Sequence, residues 1–322
     1  MPRSARLDVP NVLQHVMARG IEGREIFRDK KDREEFLRRL SEVLIKGKGQ
    51  LFAWSLISNH FHLLLRPRGM PLATMMRRLL TGYAVWHNRR HARKGHLFQN
   101  RYKSIVVEED PYFLELVRYI HLNPVRARML GQLSELDRFP YTGHAVIIGH
   151  RDYQCQDVDA VLQWFGNRAG EARRGYRSFI EAGFGQGRRE DLRGGGLIRS
   201  VGGREQLVRR ERGEWHLGDE RILGGGGFVE GILRGQTRPI IRTRGSLKDI
   251  LGEVCKEWGV FREQILSRSR ARKVSRARGV FFLRAHEEAG ESMSALGRLC
   301  GVAHTSVRES IERARKQRDN HH

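Results

Sequence analysis

The chain has few of the residues that hold secreted domains together and no segment that would cross a membrane. Its 322 residues include three cysteines, Cys155, Cys255 and Cys300, and no Cys-x-x-Cys pair. Neither a disulfide framework nor a cysteine-ligated zinc site is therefore indicated. No run of about 18 apolar residues is present, and residues 1–6 lack the apolar core of a signal peptide. We expect a cytoplasmic protein that is not bound to a membrane.

Acidic residues are also scarce relative to basic ones. The chain has 37 Asp and Glu against 60 Lys and Arg, a formal net charge of +23. This excess favours a polyanionic partner, with nucleic acid as the first candidate. An anionic membrane surface is the alternative, and the absence of apolar segments disfavours it. No Gly-x-x-x-x-Gly-Lys-Ser/Thr sequence occurs, so the glycine runs at residues 194–196, 202–203 and 224–227 indicate flexible turns rather than phosphate loops.

The pentapeptide Asn59-His60-Phe61-His62-Leu63 lies within an apolar run and alternates like a β-strand. His60 and His62 then point to one face, while Phe61 and Leu63 point to the other, which is core. Two imidazoles about 7 Å apart on a strand can share one divalent metal. The chain has 14 histidines, so about 0.6 His-x-His pairs are expected by chance, and a surface strand with unrelated histidines is the competing interpretation.

A helix is predicted to begin at Asp110 and to weaken before Pro124. Asp110 suits the N-cap position, and the proline that follows it suits the first helical position. Tyr119 and Asn123 are four residues apart and share a face of this helix, which lets a phenol and an amide oxygen approach the same metal. Taken alone, Tyr119 also fits a packed structural tyrosine. The buried stripe is expected to be Phe113, Leu116, Val117 and Ile120.

Together these segments resemble the single-tyrosine HUH transposases, specifically the REP-associated tyrosine transposases. The resemblance is carried, in family order, by residues 14–20, 59–64, 95–104 and 118–127. It implies that His60 and His62 bind a divalent metal, for which we expect Mg²⁺ or Mn²⁺. It also implies that Asn123 is the third protein ligand, and that Tyr119 attacks single-stranded DNA, at hairpins, to form a 5′-phosphotyrosine link. Related transposases place Gln where this chain has Asn123, and often Asn where it has Ile21.

The oligomeric state that the resemblance implies is open between two forms. The family commonly pairs the histidines of one subunit with the tyrosine of another, whereas REP-associated members can act as monomers. We expect a homodimer.

Basic residues cluster from the end of the predicted second helix to the start of the predicted fourth strand. They are expected to contact phosphates, and interleaved aromatic rings can stack on unpaired bases. A solvated loop with aromatic side chains in the core fits the same pattern. His15, His96 and His121 are expected to support the site or pack rather than to bind metal. The DNA-binding candidates are Arg89, Arg90, Arg93, Lys94, Phe98, Arg101 and Lys103, with Tyr102 beside them.

The hydrophobic patterns of the first 130 residues alternate between strands and helices in the order βαββαβ, followed by the tyrosine helix. This order predicts a ferredoxin-like α+β fold, an antiparallel sheet with helices, for a domain of residues 1–150. Residues 151–244 are predicted to be accessory helices, at 158–165 and 169–182, followed by a glycine-rich connector. The predicted strands are 11–19, 51–58, 60–66 and 102–107, and the predicted helices before the tyrosine helix are 32–45 and 71–91.

An all-α domain is predicted from residue 245 to 322. An apolar helical stripe begins at Leu247 and ends before Gly259, which is expected to be the C′ residue. Gly297, Gly301 and Val307 have a spacing suited to a helix-turn-helix, although any helical hairpin could show it.

Residues 247–315 resemble the carboxy-terminal DNA-binding domain of the bacterial replication initiator DnaA. The resemblance lies in the basic run at 269–278 and in residues 301–307. It implies binding to duplex DNA, with His304 and Thr305 at the front of a recognition helix and Arg308 one turn further. Val302 and Ala303 replace the Arg and Asp of that signature, so we expect a different base preference.

The sequence therefore predicts a transposase, a metal-dependent endonuclease and strand transferase for single-stranded DNA. A phosphotyrosine link keeps the energy of the broken bond, so no ATP is needed. A tyrosine with an ordinary pKa of about 10 must be activated by the metal or by a base, which the sequence does not identify. A non-enzymatic DNA-binding regulator is the alternative. A replication or conjugation nicking enzyme is disfavoured, because such enzymes usually have a His-x-His after their tyrosine and often a helicase region.

Overall fold

The computed structural model describes residues 6–166, 168–187, 189, 192, 219–234, 247–289, 291 and 293–319. The chain divides into two compact units. The first comprises Met1–Val158 with Arg177–Thr237, and the second comprises Asp159–Tyr176 with Arg238–His322. The segment predicted to be an accessory region is thus divided between the two units. The glycine runs at 194–196 and 202–203 lie outside the described residues.

The first unit is built on a five-stranded sheet in the order β2-β3-β1-β4-β5. The first four strands pair antiparallel, and β5 pairs parallel with β4. The order βαββαβ, with the first strand between the third and fourth, is the ferredoxin-like arrangement that the sequence predicts. The elements are β1 (Leu13–Arg19), α1 (Lys30–Lys46), β2 (Gln50–Ile57), β3 (His60–Arg66), α2 (Leu72–Arg90), β4 (Lys103–Val107) and α3 (Glu109–His121).

Alternation along β3 sends its side chains to two different layers. Phe61, Leu63 and Leu65 join the core that α1 and α2 cover, where Phe36 lies with its ring centre 4.8 Å from that of Phe61. His60 and His62 point to the opposite face, which α3 covers. Because α3 lies on that face, His62 is buried rather than exposed to solvent. The site is therefore built between the sheet and the tyrosine helix.

The tyrosine helix differs slightly from the one predicted. It begins at Glu109 with Glu108 in the N-cap position, so Asp110 lies in its first turn. Proline is tolerated in the first turn because the N–H groups there have no partner within the helix, which allows this earlier start. Asn123 begins a separate short helix, α4 (Asn123–Arg126), after a break at Leu122.

The predicted connector contributes ordered structure to the first unit. Strand β5 (Ile222–Leu223) extends the sheet beside β4, and α9 (Gly226–Leu233) buries Phe228, Val229 and Ile232 against it. A side chain on Gly224 would collide with the ring of Phe228, so the first glycine of the 224–227 run permits close packing. The intervening helices are α5 (Leu133–Arg138), α6 (Gly143–Ile147), α7 (Val158–Leu162) and α8 (Ala169–Glu181).

The second unit has the predicted helical architecture. Gly259 follows the first of its carboxy-terminal helices with a φ of 55°, the left-handed conformation expected at C′. At the predicted helix-turn-helix, a Cβ on Gly297 would lie 2.9 Å from the carbonyl oxygen of Val302, so glycine is needed for the tight turn. Val307 and Ile311 are buried beneath it. The helices are α10 (Leu247–Trp258), α11 (Arg262–Leu266), α12 (Arg272–Glu288), α13 (Met293–Cys300) and α14 (His304–Asp319).

Helices in the described part of the chain are too short or too polar to cross a membrane.

Candidate active site

A cleft of about 780 Å³ in the first unit brings together the four residues expected to carry the chemistry. His60 and His62 come from β3, Tyr119 from α3 and Asn123 from the start of α4. Strand β3 fixes both imidazoles on one face, and the break after α3 turns Asn123 toward the same cleft. Residues about 60 positions apart in the sequence thus converge on one site.

His62 is held by a second histidine from the neighbouring strand. Nδ1 of His62 lies 2.9 Å from Nε2 of His15, and the two rings stack with centres 5.1 Å apart. Both side chains are buried. The contact fixes the ring of His62 and engages its Nδ1, and His15 itself does not line the cleft.

His60 is oriented by the residue before it. Its Nδ1 donates to Oδ1 of Asn59 over 2.6 Å, because an amide oxygen can only accept. The amide nitrogen of Asn59 in turn donates to the backbone oxygen of Gly23 over 3.0 Å. The rings of His60 and His62 lie 5.2 Å apart and nearly perpendicular. Each ring therefore has a hydrogen bond at Nδ1 that sets the direction of Nε2.

Tyr119 lies beside the two histidine rings of the sheet. Its ring centre is 6.0 Å from those of His62 and His15, and the residue is only 4% exposed. The guanidinium carbon of Arg126 lies 4.6 Å from the centre of the tyrosine ring. This contact is a cation–π interaction that places a positive charge against the phenol.

The backbone oxygen of Tyr119 ties α4 to the site. It accepts hydrogen bonds from Nη1 of Arg126, over 2.6 Å, and from Nδ2 of Asn123, over 3.1 Å. The amide nitrogen of Asn123 is thereby engaged, and Oδ1, the atom that can bind a metal, lies on the other side of the amide group.

The basic residues predicted to bind DNA occupy different places. Arg101 and Lys103 line the cleft together with Arg19. Arg89, Arg90, Arg93, Lys94 and Phe98, all described in the structure, do not line it. Arg90 pairs with Asp29 over 2.6 Å and also with Asp32, because these carboxylates lie at the start of α1.

The remaining members of that cluster lie elsewhere. Arg93 bonds to the side chain of Asn88 and to the backbone of His96, while Arg89 and Lys94 are exposed. The ring of Phe98 packs against the core, 6.5 Å from that of Phe61, so it is not presented to the cleft for stacking.

Two contributions to the site were missed by the sequence analysis. Arg126 lies two helical turns after Tyr119, a spacing that would have placed both on one face had the helix been continuous. Asn59 is adjacent to His60 and lies within the motif itself, but its hydrogen bond depends on the turn between β2 and β3. Both roles depend on how the chain turns after an element, which hydrophobic periodicity does not show.

In the second unit, the predicted DNA-contacting residues divide between surface and interior. Thr305 and Arg308 are exposed on the first turns of α14. His304 is only 5% exposed, and its ring stacks on that of Trp164 with centres 3.2 Å apart. This burial lowers the pKa of His304 to about 3. The resemblance implied an accessible His304, whereas here its ring is covered by Trp164.

A basic groove of about 400 Å³ also lies in the second unit, between α12 and α14. Its walls carry four arginines, and a concave basic surface of this kind suits a phosphate backbone. They are Arg270, Arg272, Arg276 and Arg313.

Comparison with known proteins gives two family matches. Residues 8–123 match the family described as transposase IS200 like, and residues 247–314 match the bacterial dnaA protein helix-turn-helix. A solved structure described as "Structure of the REP associates tyrosine transposase bound to a REP hairpin" is 14% identical, with a TM-score of 0.37, over 49% of this chain and 98% of that chain. No curated protein sequence matches the chain. The family matches confirm both resemblances predicted from the sequence.

Proposed function

We propose that the transposase carried by residues 8–123 nicks single-stranded DNA next to hairpins and rejoins it through a covalent bond to Tyr119. The observation that carries this proposal is the position of Tyr119, whose ring lies 6.0 Å from that of His62 in one cleft with Asn123. Arg19, Arg101 and Lys103 line the same cleft and supply positive charge for the DNA backbone.

The donor set fits a divalent metal, either Mg²⁺ or Mn²⁺. Nδ1 of each histidine is engaged by a hydrogen bond, so Nε2 of His60 and of His62 would be the atom that binds the metal. Oδ1 of Asn123 would add an oxygen ligand, and mixed imidazole and oxygen sets suit Mn²⁺, or Mg²⁺ that keeps several waters. When bound, the metal would withdraw charge from the phosphate oxygens and so make the phosphorus a better electrophile.

The covalent step proposed for Tyr119 exchanges one phosphodiester bond for another and needs no further reactant. The phenol oxygen of Tyr119 attacks the phosphorus, the bond from phosphorus to the 3′-oxygen breaks, and that oxygen leaves with a proton as a 3′-hydroxyl. The 5′-phosphate stays on Tyr119. A 3′-hydroxyl on another strand can reverse the step, so strand transfer needs no ATP.

Arg126 would assist this step electrostatically. Its guanidinium lies against the tyrosine ring, and its hydrogen bond to the backbone of Tyr119 fixes it there. A preorganised cation held against the tyrosine ring stabilises negative charge that develops on the phenol.

The arrangement favours a site that is complete in one copy of the chain. Tyr119 and His62 come from the same chain and already lie in one cleft. An exchange of the tyrosine helix between subunits, which the predicted homodimer would need, is therefore not required for these residues to meet.

Duplex binding is assigned to the second unit. Thr305 and Arg308 are exposed on α14, and the arginine groove supplies further phosphate contacts. The unit would bring the nicking site to a chosen place on double-stranded DNA. A non-enzymatic regulator would need this unit alone, and the assembled set of His60, His62, Tyr119 and Asn123 weighs against that function.

A nicking assay tests the proposal. The full chain is incubated with labelled, hairpin-bearing single strands and Mg²⁺ or Mn²⁺, and the products are separated in denaturing gels. Tyr119→Phe should reduce nicking and adduct formation by at least about 10³-fold while leaving hairpin binding intact. Tyr112→Phe, seven residues earlier on the same helix, is the matched control and should nick normally. Undiminished cleavage by Tyr119→Phe would refute the assignment.

A further inference from the structure

We propose that the first unit contains a second metal site, formed by Asp32, His87 and His91, which binds Zn²⁺ and joins α1 to α2. These residues lie on the helical layer that covers the Phe61 face of the sheet, whereas His60 and His62 lie on the other face. The site is therefore separate from the proposed catalytic metal.

The three side chains already converge. Their ligating atoms all lie within 4.8 Å of one another. Nε2 of His91 is 2.9 Å and 3.0 Å from the two carboxylate oxygens of Asp32, and Nε2 of His87 is 3.8 Å from Oδ2. His87 and His91 are one helical turn apart at the end of α2, and Asp32 lies in the first turn of α1. Two imidazoles and a carboxylate are a common zinc set.

The environment of the buried His87 ring is the second observation that indicates a bound metal. Its side chain is fully buried, yet neither ring nitrogen has a hydrogen-bond partner in the part of the chain that the structure describes. Buried polar atoms are nearly always paired, so this ring calls for an explanation.

Two carboxylates and three arginines, Arg28, Arg90 and Arg93, surround the cluster. Arg90 pairs with both Asp29 and Asp32, so two carboxylates face one guanidinium. Arg90 contacts Oδ1 of Asp32, whereas Oδ2 faces His87 and accepts from the backbone N–H of Arg28. Nη1 of Arg90 also lies 3.2 Å from Nε2 of His91, so on metal binding Arg90 would leave that nitrogen and keep its contact with the carboxylate while Oδ2 binds the metal.

The position of the site suggests what the metal stabilises. It would join the start of α1 to the end of α2, where His91 caps the helix. The chain that follows His91 leads to Gln99, Asn100 and Arg101, which line the catalytic cleft. Because His91 is partly exposed, a water molecule can complete the tetrahedron.

Zinc affinity is measured in a chain that carries His60→Ala and His62→Ala, so that the catalytic site does not contribute. This protein, stripped with a chelator, should bind one equivalent of Zn²⁺ in competition with a chromophoric chelator, and Co²⁺ should give visible absorption bands. Adding His87→Phe should weaken zinc binding by more than about 100-fold. His96→Asn, a change at an exposed histidine, is the matched control and should have no effect.

Thermal unfolding gives an independent result. Zinc at about 100 times its Kd should raise the Tm of the His60→Ala, His62→Ala protein by about 5–10 °C, and should not raise that of the His87→Phe protein. If His87→Phe does not fold, His91→Gln replaces it, because that side chain lies at the edge of the cluster. Absence of stoichiometric zinc, or unchanged affinity in a folded His87→Phe or His91→Gln protein, would overturn the proposal.

Discussion

The two units of the chain use polar residues in opposite ways. In the first unit, the groups proposed for chemistry are held by hydrogen bonds, as with the buried His62 on His15 and the partly buried His60 on Asn59. In the second unit, the groups proposed to bind DNA are exposed, as with Thr305, Arg308 and the arginines of the groove. Bond breaking needs atoms fixed relative to one another, whereas duplex binding needs charge that reaches into solvent.

One buried histidine from each unit, His62 and His304, illustrates this difference between the units. His62 and His304 are 6% and 5% exposed, and each stacks on another ring. His62 nevertheless lines the cleft, while His304 lies under Trp164. Burial alone therefore does not mark a functional histidine. What distinguishes His62 is the cleft it shares with Tyr119 and Asn123.

The largest effect expected in a test of this contrast comes from removing the two histidines proposed to bind the metal. His60→Ala combined with His62→Ala should lower nicking by at least about 10³-fold, because the phosphate loses its charge-withdrawing metal. Duplex affinity should stay unchanged, since the second unit is untouched. His15→Asn should cause a smaller loss, about 10- to 100-fold, because it only orients His62.

Nicking rates on a hairpin strand and fluorescence anisotropy with a duplex measure the two properties. His96→Ala serves as the control for removing an exposed imidazole. Equal loss of nicking and of duplex binding in the double variant would contradict separate roles for the two units.

The second test removes most of the second unit. A chain that ends at Thr237 should lose duplex affinity by about 10²- to 10³-fold and should lose its steep salt dependence, because many phosphate contacts disappear. Nicking of a short hairpin strand should remain within a few-fold of the full chain. A shortened protein that folds, as judged by circular dichroism, but does not nick would show that the second unit belongs to the active site.

The third test concerns the cation at the tyrosine. Arg126→Leu should lower the nicking rate by about 10- to 100-fold, since the charge that stabilises the developing negative charge is lost. Arg126→Lys should recover part of the rate, because it keeps the charge but loses the planar guanidinium. Single-turnover rates measure the effect, and equal rates for Arg126→Leu and the unaltered protein would exclude an electrostatic role.

The smallest expected effect is a change in the stability of the second unit with pH. Burial holds the pKa of His304 near 3, below its ordinary value of about 6.5. The unfolded chain therefore binds a proton that the folded chain does not, and stability should fall as the pH drops below about 6.5, by at most about 1.4 kcal/mol per pH unit.

Urea unfolding at about pH 7 and about pH 5.5 gives the free energy of unfolding at each pH. The difference is compared with the change that one titrating histidine would cause. His304→Phe keeps a ring against Trp164 but cannot titrate, so its stability should change less over the same interval. An identical pH dependence in both proteins would show that His304 does not contribute.

Much of the first unit could be predicted from local patterns. Strand β3 spans His60–Arg66 as predicted, because alternating imidazole and apolar residues fix both its length and its faces. The order βαββαβ followed from the same periodicities. Tyr119 and Asn123 could be placed near His60 and His62 only through the family resemblance, since no local pattern relates residues so far apart.

The features that were missed depend on contacts between distant parts of the chain. Strand β5 has two residues beside a glycine run, too few for any periodic signal, and its pairing with β4 is decided by the rest of the sheet. The burial of His304 depends on Trp164, which lies far from it in sequence. Arg126 reaches Tyr119 across the break between α3 and α4.

The most direct test of the account is to identify the residue that becomes attached to DNA. The adduct formed with a hairpin strand and Mn²⁺ is digested with trypsin and nuclease, and the modified peptide is sequenced by mass spectrometry. The account predicts a nucleotide joined through its 5′-phosphate to the oxygen of Tyr119. An adduct on any other residue, or one joined through a 3′-phosphate, would contradict it.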